Sequence, residues 1–146
     1  MSKNFVPRGH SIVSPFLIVE SVEKELEFMK NVFGAEITEQ VRQPDGNVVH
    51  AEARIGDSTI MIGRASADFP ARPSMLYVYN ENVDETFQRA LKFGATAVSE
   101  PKDQFYGNRE AEVRDAHGNT WWIAQHLQEL SEEEIQQRAA QQKPKE

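Results

Sequence analysis

From Val22 to Phe33 the apolar residues recur at the spacing of a helix. Val22, Leu26, Met29 and Phe33 share one face, while Glu23, Lys24, Glu27 and Lys30 take the other. Ser21 precedes the run as a side-chain cap, and Gly34 supplies a left-handed stop. Ahead of this helix lies an irregular lead over residues 1–11, then a strand from Ser14 to Val19. Behind it, a strand over about residues 36–43 meets the turn Pro44-Asp45-Gly46-Asn47. Val48 to Ile55 returns, Gly56-Asp57 turns the chain again, and Ser58 to Gly63 closes the set. The pattern predicts a β-α-β-β-β module over residues 12–63.

After a linker over residues 64–73, rich in alanine, proline and polar residues, the pattern begins again. Ser74 to Tyr79 reads as a strand, and Asn82 caps a helix that carries Val83, Phe87, Ala90 and Leu91 on one face and stops at Gly94. A short strand over Thr96 to Ser99 follows, then a loop from Pro101 to Asn108. Ala111 to Asp115 and Thr120 to His126 form the last strands, joined by the turn Ala116-His117-Gly118-Asn119. The words repeat as well as the pattern. Ala51-Glu52-Ala53-Arg54 returns as Ala111-Glu112-Val113-Arg114, Phe33-Gly34-Ala35 as Phe93-Gly94-Ala95, and Thr59-Ile60-Met61-Ile62 as Thr120-Trp121-Trp122-Ile123. A period of about sixty residues marks a duplicated unit. The second module is predicted over residues 74–127. A tail over 128–146 follows, with a capping box at Ser131-Glu132-Glu133-Glu134 and an exposed helix that ends before Pro144.

Composition narrows the possibilities. A chain of 146 residues is one domain by size and can bury a core. No run approaches the roughly 18 apolar residues of a membrane span, and the N-terminus has no secretory pattern. With no cysteine, thiolate catalysis and thiolate metal ligation are excluded. The formal charge of −7 and the absence of a basic cluster argue against nucleic acid as a partner. A cytoplasmic location is expected, with no membrane and no nucleic acid.

Two tandem β-α-β-β-β modules resemble the vicinal oxygen chelate superfamily, which holds glyoxalase I, extradiol dioxygenases and bleomycin resistance proteins. At finer grain the chain looks like the PhnB-like glyoxalase branch. The residues that carry this are Pro15-Phe16-Leu17-Ile18-Val19, His50-Ala51-Glu52-Ala53-Arg54-Ile55-Gly56-Asp57, Asp103-Gln104-Phe105-Tyr106-Gly107-Asn108-Arg109 and Val113-Arg114-Asp115-Ala116-His117-Gly118-Asn119, with the tail Leu130-Ser131-Glu132-Glu133-Glu134-Ile135. The resemblance covers residues 12–127. It implies an α+β fold whose mixed sheets form a U-shaped cavity with helices outside. It also implies a divalent metal held by His, Gln or Glu at the first and last strands of each module, and frequent assembly as a homodimer. The implied metal positions fall at Ser14 or Phe16, at Met75, Pro73 or Tyr77, and at Met61 and Trp122. None is a carboxylate or an imidazole, so no metal and no cofactor is expected at the usual place.

Strand alternation places Val49, Ala51, Ala53 and Ile55 on one face and His50, Glu52 and Arg54 on the other. In the second module Ala111 and Val113 face the helix, and Glu112 and Arg114 the cavity. Glu52, Arg54, Glu112 and Arg114 could simply pair with one another, or they could form a polar floor on which a glutamate acts as general base. His50 and His126 are either hydrogen-bonded strand residues or acid–base groups. The segment Gln104 to Arg109 is the largest departure from the repeat and reads as a cavity wall or a plain surface loop.

The leading expectation is metal-independent binding of a small, partly aromatic ligand by a homodimer. Tyr77, Trp122, Met61, Phe105, Tyr106, His126, Arg54 and Arg114 would line the ligand site, with Glu52, Arg109 and Glu112 orienting the ligand. One alternative is an enzyme (lyase, isomerase or dioxygenase-like) that uses Glu52, Glu112 or His50 with a relocated metal. A second is a dimeric interaction module with a closed cavity.

Overall fold

A computed structural model describes residues 5–142. Its elements are β1 (Phe16–Val19), α1 (Val22–Phe33), β2 (Glu36–Arg42), β3 (Val48–Ile55), β4 (Ser58–Arg64), β5 (Met75–Tyr79), α2 (Val83–Lys92), β6 (Thr96–Asp103), β7 (Asn108–Arg114), β8 (Thr120–His126) and α3 (Glu132–Ala140). The helix expected to stop before Pro144 ends at Ala140, and Pro144 itself lies outside the described residues. Two compact units divide the chain. The first runs to Ser74 and takes in the turn Asp115–Asn119; the second holds Met75–Arg114 and the chain from Thr120. Each is an α+β unit with one four-stranded sheet, in the orders β1-β4-β3-β2 and β5-β8-β7-β6.

Local chemistry explains the helices. Ser21 accepts a hydrogen bond from the Lys24 amide, and Gly34 adopts φ 67° to end α1. Asn82 caps α2 in the same way, and Ser131 and Glu134 form the reciprocal capping box of α3. Val22, Leu26, Met29 and Val32 are buried on the α1 side of the first sheet with Ala51, Ala53, Ile60 and Ile62. In the second unit Val83, Phe87 and Ala90 of α2 are buried with Ala111, Val113, Trp121 and Ile123. The alanines let each helix lie close on its sheet.

The stretch expected as a short strand and a long loop differs. β6 continues to Asp103, through Pro101, because it is an edge strand and the proline falls at a register shift between Ser99 and Lys102. The rest is a tight turn. The Gln104 amide donates to the Asn108 carbonyl (2.7 Å) and the Gly107 amide to the Gln104 carbonyl (3.2 Å). The first unit makes the same two bonds from Gln43 to Asn47 (2.9 Å) and from Gly46 to Gln43 (2.8 Å). Gln-x-x-Gly-Asn therefore recurs, and this segment follows the repeat rather than departing from it. Gly107 is required twice over: φ is +98°, and a Cβ there would meet the Gln128 carbonyl oxygen at 2.6 Å.

The turn between β7 and β8 is tied to α1 through a buried carboxyl. Glu25 is 1% exposed, and its Oε1 accepts from His117 Nδ1 (2.8 Å) and Asn119 Nδ2 (3.3 Å). Among the described residues, its Oε2 has no hydrogen-bond partner. Burial, reinforced by the neighbouring Asp115 carboxylate, pushes the Glu25 pKa up to about 9. His117 Nε2 accepts from the Ser21 amide (3.3 Å), so its proton sits on Nδ1, facing Glu25.

An unfolded glutamate releases its proton near 4.5, whereas folded Glu25 keeps it to about 9. The folded state holds the extra proton across this interval, so its stability falls as pH rises through it. Glu25→Gln retains the acceptor for His117 and Asn119 and removes the ionisation. Calorimetric melting from about pH 5 to about pH 9 should show a shallower decline for this variant and a higher Tm than the natural chain at the alkaline end. Parallel curves would show that Glu25 does not carry the effect.

Candidate functional site

The face of the first sheet away from α1 is polar in its middle and apolar towards β1. Glu52 is buried there, and three groups surround it. His10 Nε2 lies 2.5 Å from Oε1, His50 Nε2 lies 3.7 Å from Oε2, and the Glu39 carboxyl stands beside them. The lead residues reach this face because the Gly9 carbonyl accepts from Thr59 Oγ1 (2.6 Å) and Arg54 Nη1 (3.2 Å). Burial raises the pKa of Glu52, but the bond from His10, the charge on that ring and the nearby His50 outweigh it and hold this carboxyl below the usual range. The bond to Glu52 in turn raises the pKa of His10.

Beside this cluster opens a cavity of about 760 Å³, walled by Phe16, Ile18, His50 and Phe69 and edged by Arg64 and Arg72. Gly63 leaves room for it, since a Cβ at that position would meet the Phe16 ring at 2.9 Å. The linker forms its outer wall. The Arg72 amide donates to the Ile18 carbonyl (3.3 Å), and the Ser66 amide to the Phe69 carbonyl (2.9 Å). Among the described residues, neither Arg64 nor Arg72 has a side-chain hydrogen bond or ion pair.

The second unit carries a different arrangement. Glu110, 4% exposed, accepts from the hydroxyls of both Tyr77 and Tyr106. Asn108 Nδ2 donates to Tyr77 Oη (2.9 Å), and Asn108 Oδ1 meets His126 Nδ1 (3.0 Å). His126 Nε2 lies 2.8 Å from Glu129. Burial raises the pKa of both phenols, and the Glu110 carboxylate, against which a phenolate would stand, raises them further.

Several expected site residues thus come together and others do not. Tyr77, Tyr106 and His126 share one network, whose centre, Glu110, and bridge, Asn108, sequence reasoning passed over. Strand alternation could have found Glu110, two residues before Glu112. Glu39 was also missed, because it depends on a bulge, and nothing in an irregular lead places His10 beside Glu52. Arg109, expected to orient a ligand, faces the helix layer and pairs with Asp84 (2.8 Å) and Asp103 (2.8 Å). Arg54 is engaged by backbone carbonyls of Gly9 and Gly56. Phe105 lies in the β6–β7 turn, 5.1 Å edge-on to Tyr106. Glu112 is half-buried in register with Trp122, and Arg114 is exposed.

The ladders set two pairs of the residues at the implied metal positions side by side. Phe16 is in register with Met61, and Tyr77 with Trp122. A phenyl ring, a thioether, a phenol and an indole offer no ligand set for a hard or borderline divalent ion, so these residues do not fit that metal.

A family model described as the glyoxalase/bleomycin resistance protein/dioxygenase superfamily matches residues 10–123. The chain belongs to this superfamily. It is 31% identical over 135 residues to the uncharacterized protein Mb0911c of Mycobacterium bovis, a match covering 85% of this chain and 89% of that one. TioX from Micromonospora sp. ML1 shares the fold at TM-score 0.66 and 27% identity, over 80% of this chain and 99% of the other. A PhnB protein from Bacillus cereus shares the fold at TM-score 0.62 and 19% identity, over 79% and 99%. Among the described residues of this superfamily member, no helix is long and apolar enough to cross a membrane.

The Glu110 network can be read directly. In an alkaline titration followed by tyrosinate absorbance, two of the three tyrosines should stay un-ionised beyond the ordinary phenol range of about 10 while the chain is folded. Glu110→Gln should lower both. Ionisation of all three near pH 10 in the folded protein would contradict the network.

Proposed function

We propose that this superfamily member binds a small, partly aromatic acid in the cavity of its first unit, without the superfamily's usual metal. The observation that carries this reading is a pair of arginines, Arg64 and Arg72, at the edge of an apolar cavity of about 760 Å³. That volume lies within the roughly 300–1,000 Å³ of small-molecule sites. Phe16 and Phe69 offer ring faces, and Phe69 is 68% exposed on the linker, where a bound ring would cover it. A guanidinium without a protein partner favours a carboxylate, which it binds through two parallel hydrogen bonds. Asp68, also on the rim, disfavours a ligand with a second acid nearby. Sequestration is one use of such a site.

Calorimetry with naphthalene carboxylate and its neutral amide tests this. The acid should bind more tightly, and Arg64→Ala or Arg72→Ala should each weaken it by about tenfold while affecting the amide little. Phe69→Ala should weaken both probes alike. Equal binding of acid and amide, or none with either at millimolar concentration, would overturn the reading.

A further inference from the structure

We propose that Glu39, His50 and Glu52 form a binding site for a first-row divalent cation on the face of the first sheet away from α1. The ligand atoms of these three side chains all lie within 4.8 Å of one another. An ion with bonds of about 2.0–2.2 Å holds its ligand atoms roughly 3–4 Å apart, so small side-chain movements would close the set. Two carboxylates and one imidazole, with no thiolate, suit manganese, iron, cobalt or zinc in the divalent state.

The backbone builds this convergence. Ile37 is in register with Ala53, and Glu39 with Glu52, so Thr38 and Glu39 together oppose one residue of β3. Without that bulge Glu39 would share the helix-facing side with Ile37; the extra residue turns it to the side of Glu52. Thr38 Oγ1 locks the bulge by donating to the Glu52 carbonyl (3.3 Å). The result places two carboxylates directly across from each other, an arrangement that repels unless a cation or a proton lies between them. His50, two residues before Glu52 on the same strand face, places its Nε2 3.7 Å from Glu52 Oε2.

Support comes from behind as well. His10 Nε2 holds the other oxygen of Glu52, and its Nδ1 donates to the Arg8 carbonyl (3.1 Å). This matches the hydrogen-bonded outer shell that fixes ligating carboxylates. The second unit serves as an internal comparison. It repeats the bulge between Ala97 and Ser99, but Ser99 stands opposite Glu112 and Glu110 takes the place of His50. The same backbone there presents no imidazole and no facing carboxylate. Among the described residues, the other close trio, Glu25, Asp115 and His117, has both nitrogens of its histidine engaged, by Glu25 and the Ser21 amide.

The inference is independent of the acid-binding reading, because its probe is the metal alone. The full chain, stripped with a chelator, is titrated with manganese or zinc by calorimetry and thermal shift, and with cobalt by visible absorption. One equivalent should bind and raise the Tm. Glu39 is exposed, so Glu39→Gln should fold normally, as a melt in chelator would verify, and should weaken binding more than tenfold, as should His50→Gln. His10→Gln should weaken it roughly tenfold, as loss of an outer-shell partner does. His117→Gln should leave binding unchanged. Absence of binding at millimolar metal, or binding that survives Glu39→Gln and His50→Gln or is lost in His117→Gln, would overturn the proposal.

Discussion

Each unit is closed by the parallel pairing of its first strand with its last, and the rest of the arrangement follows from that register. β1 can lie beside β4 only after α1 has crossed back over the sheet, which commits one sheet face to the helix and leaves the other for chemistry. The same ladder sets Phe16 against Met61 and Tyr77 against Trp122. Because pleat alternation is strict, these neighbours share a face and present sulfur and aromatic surface. The cavity of the first unit exists in the same frame, where Gly63 leaves the space that the Phe16 ring approaches.

The duplication preserves hydrogen-bonded geometry more faithfully than side-chain chemistry. Turn bonds, bulges and sheet order recur between units. On the polar faces the residues diverge: His50 answers to Glu110, Glu39 to Ser99 and Gly63 to Ala124. Backbone bonds are set by turn and register, which tolerate few substitutes, whereas the outer sheet face accepts any side chain whose polar atoms find partners.

Three buried glutamates, one on α1 and two on the sheets, each meet the cost of burial differently. Glu25 keeps its proton, Glu52 takes an imidazole, and Glu110 takes two phenols. A buried carboxylate without partners would be costly, so each is surrounded by groups from distant parts of the chain: a turn, the lead, or two separate strands and their connection.

The amino-acid sequence alone determined the secondary elements apart from the extent of β6 and the turn after it, the internal repeat, the α+β class and the lack of a carboxylate or imidazole at the expected metal positions. These rest on local signals: helical spacing, cap residues, turn residues and strand alternation, all within a few positions of one another. Only the tertiary structure decided what the polar residues do. Arg109 left the expected ligand face for Asp84, His10 arrived at Glu52 from an unpatterned lead, and a single bulge turned Glu39 towards Glu52. Gln104 to Asn108 kept the turn of Gln43 to Asn47 although its middle residues differ. A side chain's partner depends on register and on segments far away in sequence, and one inserted residue in a strand reverses the face it occupies.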